Sequence, residues 1–350
     1  MKAATLKKAA LGVGSLLLFC GPASAQAVAS NAGGYEIHTI KGEGKFTLLG
    51  LRFHEPTVVS GTFDSQTADS LTDDEVNFST VLIPGKRYLV EITGGTSSEG
   101  TVIEVDGWSG SDLTGLSDIV ADDATDYTIR AAKTIGDVFG ADNEVGLKGS
   151  DNADPSEASV IYVPNPNNVP PEPPFIRVFY SNPGNMLSED FEGWLDAEDF
   201  ADATNFPLNY VDGILIEEKG NDDLRLVVSG MVKITSTNLP VSEVFTYLGT
   251  AYPVGATLGN SGLENSVTGS ATATALEADI VYLPKADASG FEQYFYSTLN
   301  APPDFPVGWY SLNFDPADDV ELTSGMIIER RGSQNVFNAP VDPPAFYSDL

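Results

Sequence analysis

The sequence predicts a mostly β protein built from two related antiparallel units, each a sandwich or small barrel, with one or two short helical turns. Three observations predict it. Short apolar runs rich in β-branched and aromatic residues recur between Gly, Pro, Asn and Asp, the texture of strands and turns. Long helical periodicity is missing. Similar segments also return in the same order in the two halves of the chain, the mark of an internal repeat.

The strand-like runs cover residues 45–51, 88–93, 101–105, 127–130, 159–163, 176–180, 213–217, 224–234, 278–283, 293–296 and 325–329. Two segments suit short helices: 134–139, and 189–203, whose acids and aromatics would share a face. In the repeat, Ser159-Val160-Ile161-Tyr162-Val163-Pro164 matches Asp279-Ile280-Val281-Tyr282-Leu283-Pro284. Phe179-Tyr180-Ser181 then matches Phe295-Tyr296-Ser297, and Gly193-Trp194 matches Gly308-Trp309. Gly213-Ile214-Leu215-Ile216-Glu217 matches Gly325-Met326-Ile327-Ile328-Glu329. Upstream, Thr134-Ile135 and Gly146-Leu147 echo Thr257-Leu258 and Gly262-Leu263. A weaker echo pairs residues 46–50 with 226–230, as if each unit opened on a similar strand. These matches divide the chain into a first unit over 26–220, with extra strands at 61–133, and a second over 221–350 that ends in a Pro-rich tail. The Pro-rich run 164–174 would mark a domain linker on composition alone. Its counterpart at 285–291 joins two strands, so the run is expected to be a hairpin loop.

Residues 1–25 have the layout of a cleaved secretory signal peptide: Lys2, Lys7 and Lys8, an apolar stretch over 9–20, and Ala23-Ser24-Ala25. The stretch is shorter than the roughly 20 residues of a membrane span, and no later run is long enough, so no transmembrane segment is expected. Cys20 follows Phe19 rather than a small residue, which argues against acylation at a lipoprotein cleavage site. Removing this segment leaves 325 residues without cysteine, and 15 basic against 50 acidic side chains, a charge of −35. Export without disulfides points to secretion, or to the surface or periplasm of a bacterium.

The full chain carries a net charge of −32, which excludes nucleic acid as a partner because phosphate recognition needs a basic footprint. With two His and one Cys, a zinc site of thiolates and imidazoles is not expected. At 42% hydrophobic residues the chain is too apolar for an acidic disordered tail, and a sizeable core is expected. No serine elbow, Walker pattern or dinucleotide fingerprint occurs. A catalytic triad would have to recruit His38 or His54.

Carboxylate pairs could serve glycoside chemistry. Glu217 and Glu329 end matching strands, while Asp106 and Asp196 lie near Trp108 and Trp194. Fifty acids nominate no single pair, and a solvated, like-charged surface explains them more simply. Calcium is the cofactor such oxygen-rich loops could hold, in the clusters 64–75, 118–126, 142–157 and 315–321, although none has a known calcium-loop register. Trp194 and Trp309, with Tyr180 and Tyr296, recur at matching positions and are the candidate binding aromatics. A repeated core contact is the simpler explanation of them.

In this ordered set of motifs, over 88–95, 127–140, 159–164, Phe179-Tyr180, Trp194, 213–217, 228–232, 252–258, 279–284, 294–296, Trp309 and 325–330, the chain resembles a verrucomicrobial-type family of secreted two-repeat β proteins of uncharacterised function. The resemblance implies export and duplication and carries over no catalytic residue. The expectation is therefore a non-enzymatic surface or extracellular structural or binding component with a glycan or protein partner. A carbohydrate-active or carbohydrate-binding protein and a calcium-stabilised adhesion protein are the alternatives.

Overall fold

The computed structural model describes residues 32–67, 69–96, 98–116, 125–165, 174–182, 191–241, 244–301, 305–331 and 337–349. The predicted signal peptide, most of the 118–126 cluster and the centre of the Pro-rich run lie outside them. The fold is mostly β, its sheets are antiparallel, and among the described residues no barrel closes.

The chain opens with β1 (Gly33–Ile40), β2 (Lys45–Gly50) and β3 (Thr57–Phe63). There follow β4 (Ser65–Gln66), β5 (Ser70–Thr72), the turn α1 (Phe78–Val81), β6 (Tyr88–Gly94), β7 (Val102–Val105), β8 (Gly107–Ser109), β9 (Asp112–Thr114) and β10 (Thr125–Ala131). Next come β11 (Lys133–Thr134), α2 (Ile135–Phe139), β12 (Val160–Pro164), β13 (Phe175–Ser181), β14 (Gly193–Asp196), β15 (Pro207–Leu208), β16 (Gly213–Glu218) and β17 (Leu224–Met231). The last strands are β18 (Thr237–Val241), β19 (Phe245–Gly249), β20 (Ile280–Pro284), β21 (Phe291–Ser297), β22 (Gly308–Ser311), β23 (Gly325–Glu329) and β24 (Phe337–Val341).

Two five-stranded sheets organise these elements, in the orders β2-β16-β12-β13-β14 and β19-β23-β20-β21-β22. A two-stranded ribbon belongs with each: β1 pairs with β17, and β18 with β24. The correspondence reaches single residues. Ser150 and Ser270 bridge in parallel to Ser181 and Ser297. Their hydroxyls take the amides of Asp154 and Thr274, at 2.8 and 2.9 Å, beside Ala153 and Ala273 in the left-handed region at φ 56° and 55°. Thr134 and Thr257 each form a capping box, with Asp137 and Asn260.

The counterpart of β2 in strand order is β19, and Phe46-Thr47-Leu48-Leu49-Gly50 aligns with Phe245-Thr246-Tyr247-Leu248-Gly249. The expected echo of 46–50 in 226–230 is corrected accordingly, because residues 224–231 form β17 and pair with β1. Alternation of apolar residues alone made two strands of different roles look alike.

The expected helix over 189–203 is also corrected. Gly193–Asp196 forms β14 against β13, and Phe200 turns the chain at φ 61°. Asp196, Asp199 and Asp202 each accept the amide two residues on, of Glu198, Ala201 and Thr204, at 2.7 to 2.9 Å. Such local turns compete with the helical ladder. Around the Pro-rich run, β12 and β13 pair from Val160↔Phe179 to Pro164↔Phe175, and the Asn165 amide donates to the Pro174 carbonyl at 3.0 Å, so the strands on either side are joined as a hairpin.

Each large sheet buries one face in a shared core containing Leu49, Ile161, Val178, Trp194, Ile214 and Ile216 from the first, and Val281, Leu283, Trp309, Met326 and Ile328 from the second. The segment between β3 and β10 makes a four-stranded sheet, β3-β10-β6-β7, and a smaller one, β4-β5-β9-β8. Between them lies a separate core of Phe63, Phe78, Tyr88, Val90, Ile92, Tyr127 and Ile129.

The two large sheets meet where β2 and β16 cross β19 and β23, through glycines. A Cβ on Gly50 would come within 2.5 Å of the Gly249 Cα and into the Ser324 carbonyl. On Gly213 it would lie 2.7 Å from the Leu248 nitrogen, and on Gly325 2.8 Å from Leu48 Cγ. Side-chain-free positions let backbones approach this closely. The Gly249 amide donates to Val211 O at 2.8 Å and the Thr250 amide to Ser324 O at 3.0 Å, which ties the crossing. Asp212 sits beside it, bridged to Leu248, and burial pushes its carboxyl up to about 7.

Three outcomes are expected. Gly50→Val should lower unfolding free energy by about 3 kcal/mol, the upper end of ordinary overpacking, in urea titrations. Gly94→Ala, whose Cβ would meet only Asp126 at 3.4 Å or beyond, should change it little. For Asp212 the folded-state value is raised, so its stabilising protonation is complete near pH 4 and lost as pH rises through 7. Asp212→Asn should therefore match the parent's melting temperature near pH 4 and exceed it at pH 8.

Candidate functional site

Trp194 and Trp309 are each 1% exposed. They lie on the core faces of β14 and β22, with Tyr180 and Tyr296 against them at ring separations of 5.2 and 5.5 Å. A buried indole offers no face to a sugar, so Trp194 and Trp309 are core contacts, the simpler explanation of their recurrence, and Tyr180 and Tyr296 pack half-buried against them. Trp194 Nε1 donates to Gly140 O at 2.7 Å. Of the carboxylate candidates, Glu217 accepts from Tyr162 Oη at 3.1 Å, and Glu329 from Tyr282 Oη and from Arg331 at 2.8 and 3.0 Å. Asp106 is exposed, and the Asp196 carboxylate is engaged in its turn. Among the described residues no three His, Cys, Asp or Glu side chains converge as metal ligands, and no helix is long and apolar enough to cross a membrane.

Two other places bring chemistry together. The first is the outer face of the large sheets. In antiparallel pairs, residues directly opposite share a face. Phe46 stands opposite Glu217, Leu215 opposite Tyr162, and Phe175 opposite Pro164; Phe245 stands opposite Glu329, Ile327 opposite Tyr282, and Phe291 opposite Pro284. The rings form a band. Phe46 meets Tyr162 at 6.2 Å, Tyr162 meets Phe175 at 6.1 Å, and Phe175 reaches Tyr247 of the other sheet at 5.0 Å. Phe245, two residues from Tyr247 on β19, meets Tyr282 at 6.3 Å, and Tyr282 meets Phe291 at 6.2 Å. Phe46 and Phe245 are about half exposed, and the other five rings are half-buried. Matching trios, Phe46-Tyr162-Phe175 and Phe245-Tyr282-Phe291, thus occupy matching strands.

The second place is the seam between the inserted sheet and the body. On β6, Tyr88, Val90 and Ile92 face the insert's own core, so Leu89 and Glu91 face the body. Glu91 is 1% exposed and receives Lys233 Nζ at 2.5 Å, Tyr210 Oη at 3.0 Å and the Thr235 hydroxyl. Lys233 also donates to the carbonyls of Thr235 and Ser236, at 2.9 and 2.6 Å. Burial alone would raise the Glu91 carboxyl, but Lys233, Thr235 and Arg130 hold it below its usual value; burial lowers Lys233, against Glu91.

Beside this pair opens a cleft lined by Leu51, Phe53, His54, Arg130, Lys133 and Tyr210 among others. Lys133 reaches Glu55 at 2.5 Å. His54, buried, packs its ring 4.2 Å from that of Tyr210, and is held well below its ordinary value by burial and then by Arg130, Lys233 and Lys133. His38 lies elsewhere, 3.5 Å from Glu36, and burial lowers it also.

Neither place was nominated from sequence. The band's members read as ordinary strand residues until strand order aligned β2 with β19, and the seam joins residues 54, 91, 130, 210 and 233 from separate parts of the chain. No family model, curated protein or solved structure matches the chain.

The seam makes a stability test. Lys233→Met leaves Glu91 buried without its cation and should cost about 3 kcal/mol or more in urea titrations, as broken buried pairs do. Joining it to Glu91→Leu should recover part of that loss, a coupling read from the double-mutant cycle.

Proposed function

We propose that this chain is an exported, non-enzymatic surface or extracellular component that binds a neutral glycan through the aromatic band. We also place it among the secreted two-repeat proteins that its motifs resemble. One observation carries the reading: two half-exposed aromatic trios at matching positions, each with a tyrosine hydroxyl bonded to a carboxylate, Tyr162 to Glu217 and Tyr282 to Glu329. Ring faces supply apolar area to the faces of sugar rings, and the tyrosine–glutamate pairs supply fixed polar groups for hydroxyls. A contiguous aromatic surface of this kind, exposed at Phe46 and Phe245 and half-buried between them, suits an interaction site. The net charge of −32 repels acidic polymers and leaves neutral ones as the better match.

Duplication supports the reading, since two equivalent patches on one compact unit bind an extended polymer with an avidity that neither has alone. The matching strand orders, with β17 closing on β1 and β24 on β18, support placing the junction of the two units between Met231 and Thr237.

The test is retention of the mature chain, starting at Gln26, on cellulose, xylan and starch granules. Retention on at least one is expected, with about a tenfold loss of affinity in the double variant Phe46→Ala/Phe245→Ala at unchanged melting temperature. Absence of retention on every polymer, or full retention by the double variant, would overturn the reading. Release of soluble sugar, abolished by Glu217→Gln or Glu329→Gln, would replace it with an enzymatic one.

A further inference from the structure

We propose that Lys233 and Glu91 condense in the folded chain to an amide, a covalent staple between the body and the inserted sheet. The two side chains come from opposite surfaces of the seam and meet at 2.5 Å, with 0% and 2% of their surface exposed. Beyond residue 25 the sequence has no cysteine, so no disulfide can tie these surfaces together.

The groups around the pair are set for the reaction. Lys233 Nζ donates to the carbonyls of Thr235 and Ser236, at 2.9 and 2.6 Å, and with its remaining hydrogen reaches Glu91 Oε1. Passing that proton to the carboxylate turns the ion pair into a neutral amine and a neutral acid, with the new lone pair on the carboxyl side. Burial works against the charge on each partner and so favours this exchange. The Thr235 hydroxyl touches both reacting groups: it accepts from Nζ at 2.6 Å and donates to Oε1. At the other carboxyl oxygen, Tyr210 Oη donates to Oε2 at 3.0 Å, and Arg130 Nε stands 3.9 Å away.

The step balances without any added reagent. The Nζ lone pair attacks Cδ, and the negative charge that collects on Oε2 is met by the Tyr210 hydroxyl and the Arg130 guanidinium, placed as an oxyanion hole is. Oε1 already holds the first proton. A second passes from Nζ through Thr235 Oγ1 to Oε1, the Cδ–Oε1 bond breaks, and Oε2 becomes the amide carbonyl oxygen. One ammonium and one carboxylate thus become one neutral amide and one water. The adjoining cleft, lined by Arg130 and Tyr210, has room for about one water. Free amines and acids do not condense in water, but groups held in contact react at effective concentrations of roughly 10⁵–10⁸ M, and a buried seam keeps out the water that would reverse the step.

The experiment holds the folded mature chain, starting at Gln26, at pH 7 and follows its intact mass and tryptic peptides. Loss of one water is expected, with no cleavage after Lys233 and with residues 88–130 recovered joined to residues 226–285. Lys233→Arg keeps a cation beside Glu91 and should stay at the sequence mass. Thr235→Val should form the branched peptide at least about tenfold more slowly, as expected for loss of a proton relay. If either variant fails to fold, the parent chain decides alone. Cleavage after Lys233 in the parent, recovery of 88–130 unbranched, or a water loss that maps to another peptide would overturn the proposal. None of these outcomes bears on polysaccharide retention by the aromatic band.

Discussion

The crossing of the two large sheets depends on four positions that carry no side chain. Because Gly50, Gly213, Gly249 and Gly325 bring backbone onto backbone, the edge pair β2/β16 of one sheet lies directly on β19/β23 of the other. That contact sets how the two sheets stand to each other. It brings Phe175 of one sheet to Tyr247 of the other and makes one band from two trios of rings. A Cβ at any of the four would push the sheets apart and separate the trios while leaving each internally intact. Backbone approach and candidate surface are thus a single constraint, and the Asp212 carboxyl beside them is raised by partial burial.

A different device holds the inserted sheet. Its own core is apolar and closes without help from the body, so its outer face needs only to be attached. The attachment adds a polar cluster to the apolar contacts of Leu89 and Val102: one carboxylate, one ammonium, a phenol and a hydroxyl share the seam. Replacing such a pair with apolar side chains is often neutral or stabilising, whereas removing one partner is not, so the pair argues for a specified docking register rather than for raw stability. The unfilled donors of Arg130 and His54 lie at the edge of that seam, where matching polar groups from two surfaces left a remainder.

Much of the fold was legible in the sequence because strands and hairpins are written locally. The alternation of β-branched residues placed most strands, and the short helix expected over 134–139 is α2, which Thr134 and Asp137 cap. The segment 189–203 misled because acids and aromatics at helical spacing also suit consecutive Asp turns, and only backbone geometry separates the two. Trp194 and Trp309 drew attention as large aromatics at matching positions, yet position in sequence does not say which face of a strand is dry. Residues 46–50 and 245–249 were the better echo, and they escaped notice because their likeness is five residues long and their shared role lies in strand order. The seam was illegible for a simpler reason: Glu91 and Lys233 are far apart in the chain, and one charge among fifty acids carries no mark of burial.

The inserted sheet begins and ends side by side, with Thr57 of β3 standing opposite Arg130 of β10. Beside the second large sheet, residues 250–256 occupy the interval between strand and capped turn that residues 51–133 fill beside the first. A segment whose two ends are neighbours can be gained or lost without moving what flanks it, as a cassette. Lys233, buried beneath the inserted sheet, is thus the point at which the body holds the cassette, and Glu91 is the charge that the cassette brings to it.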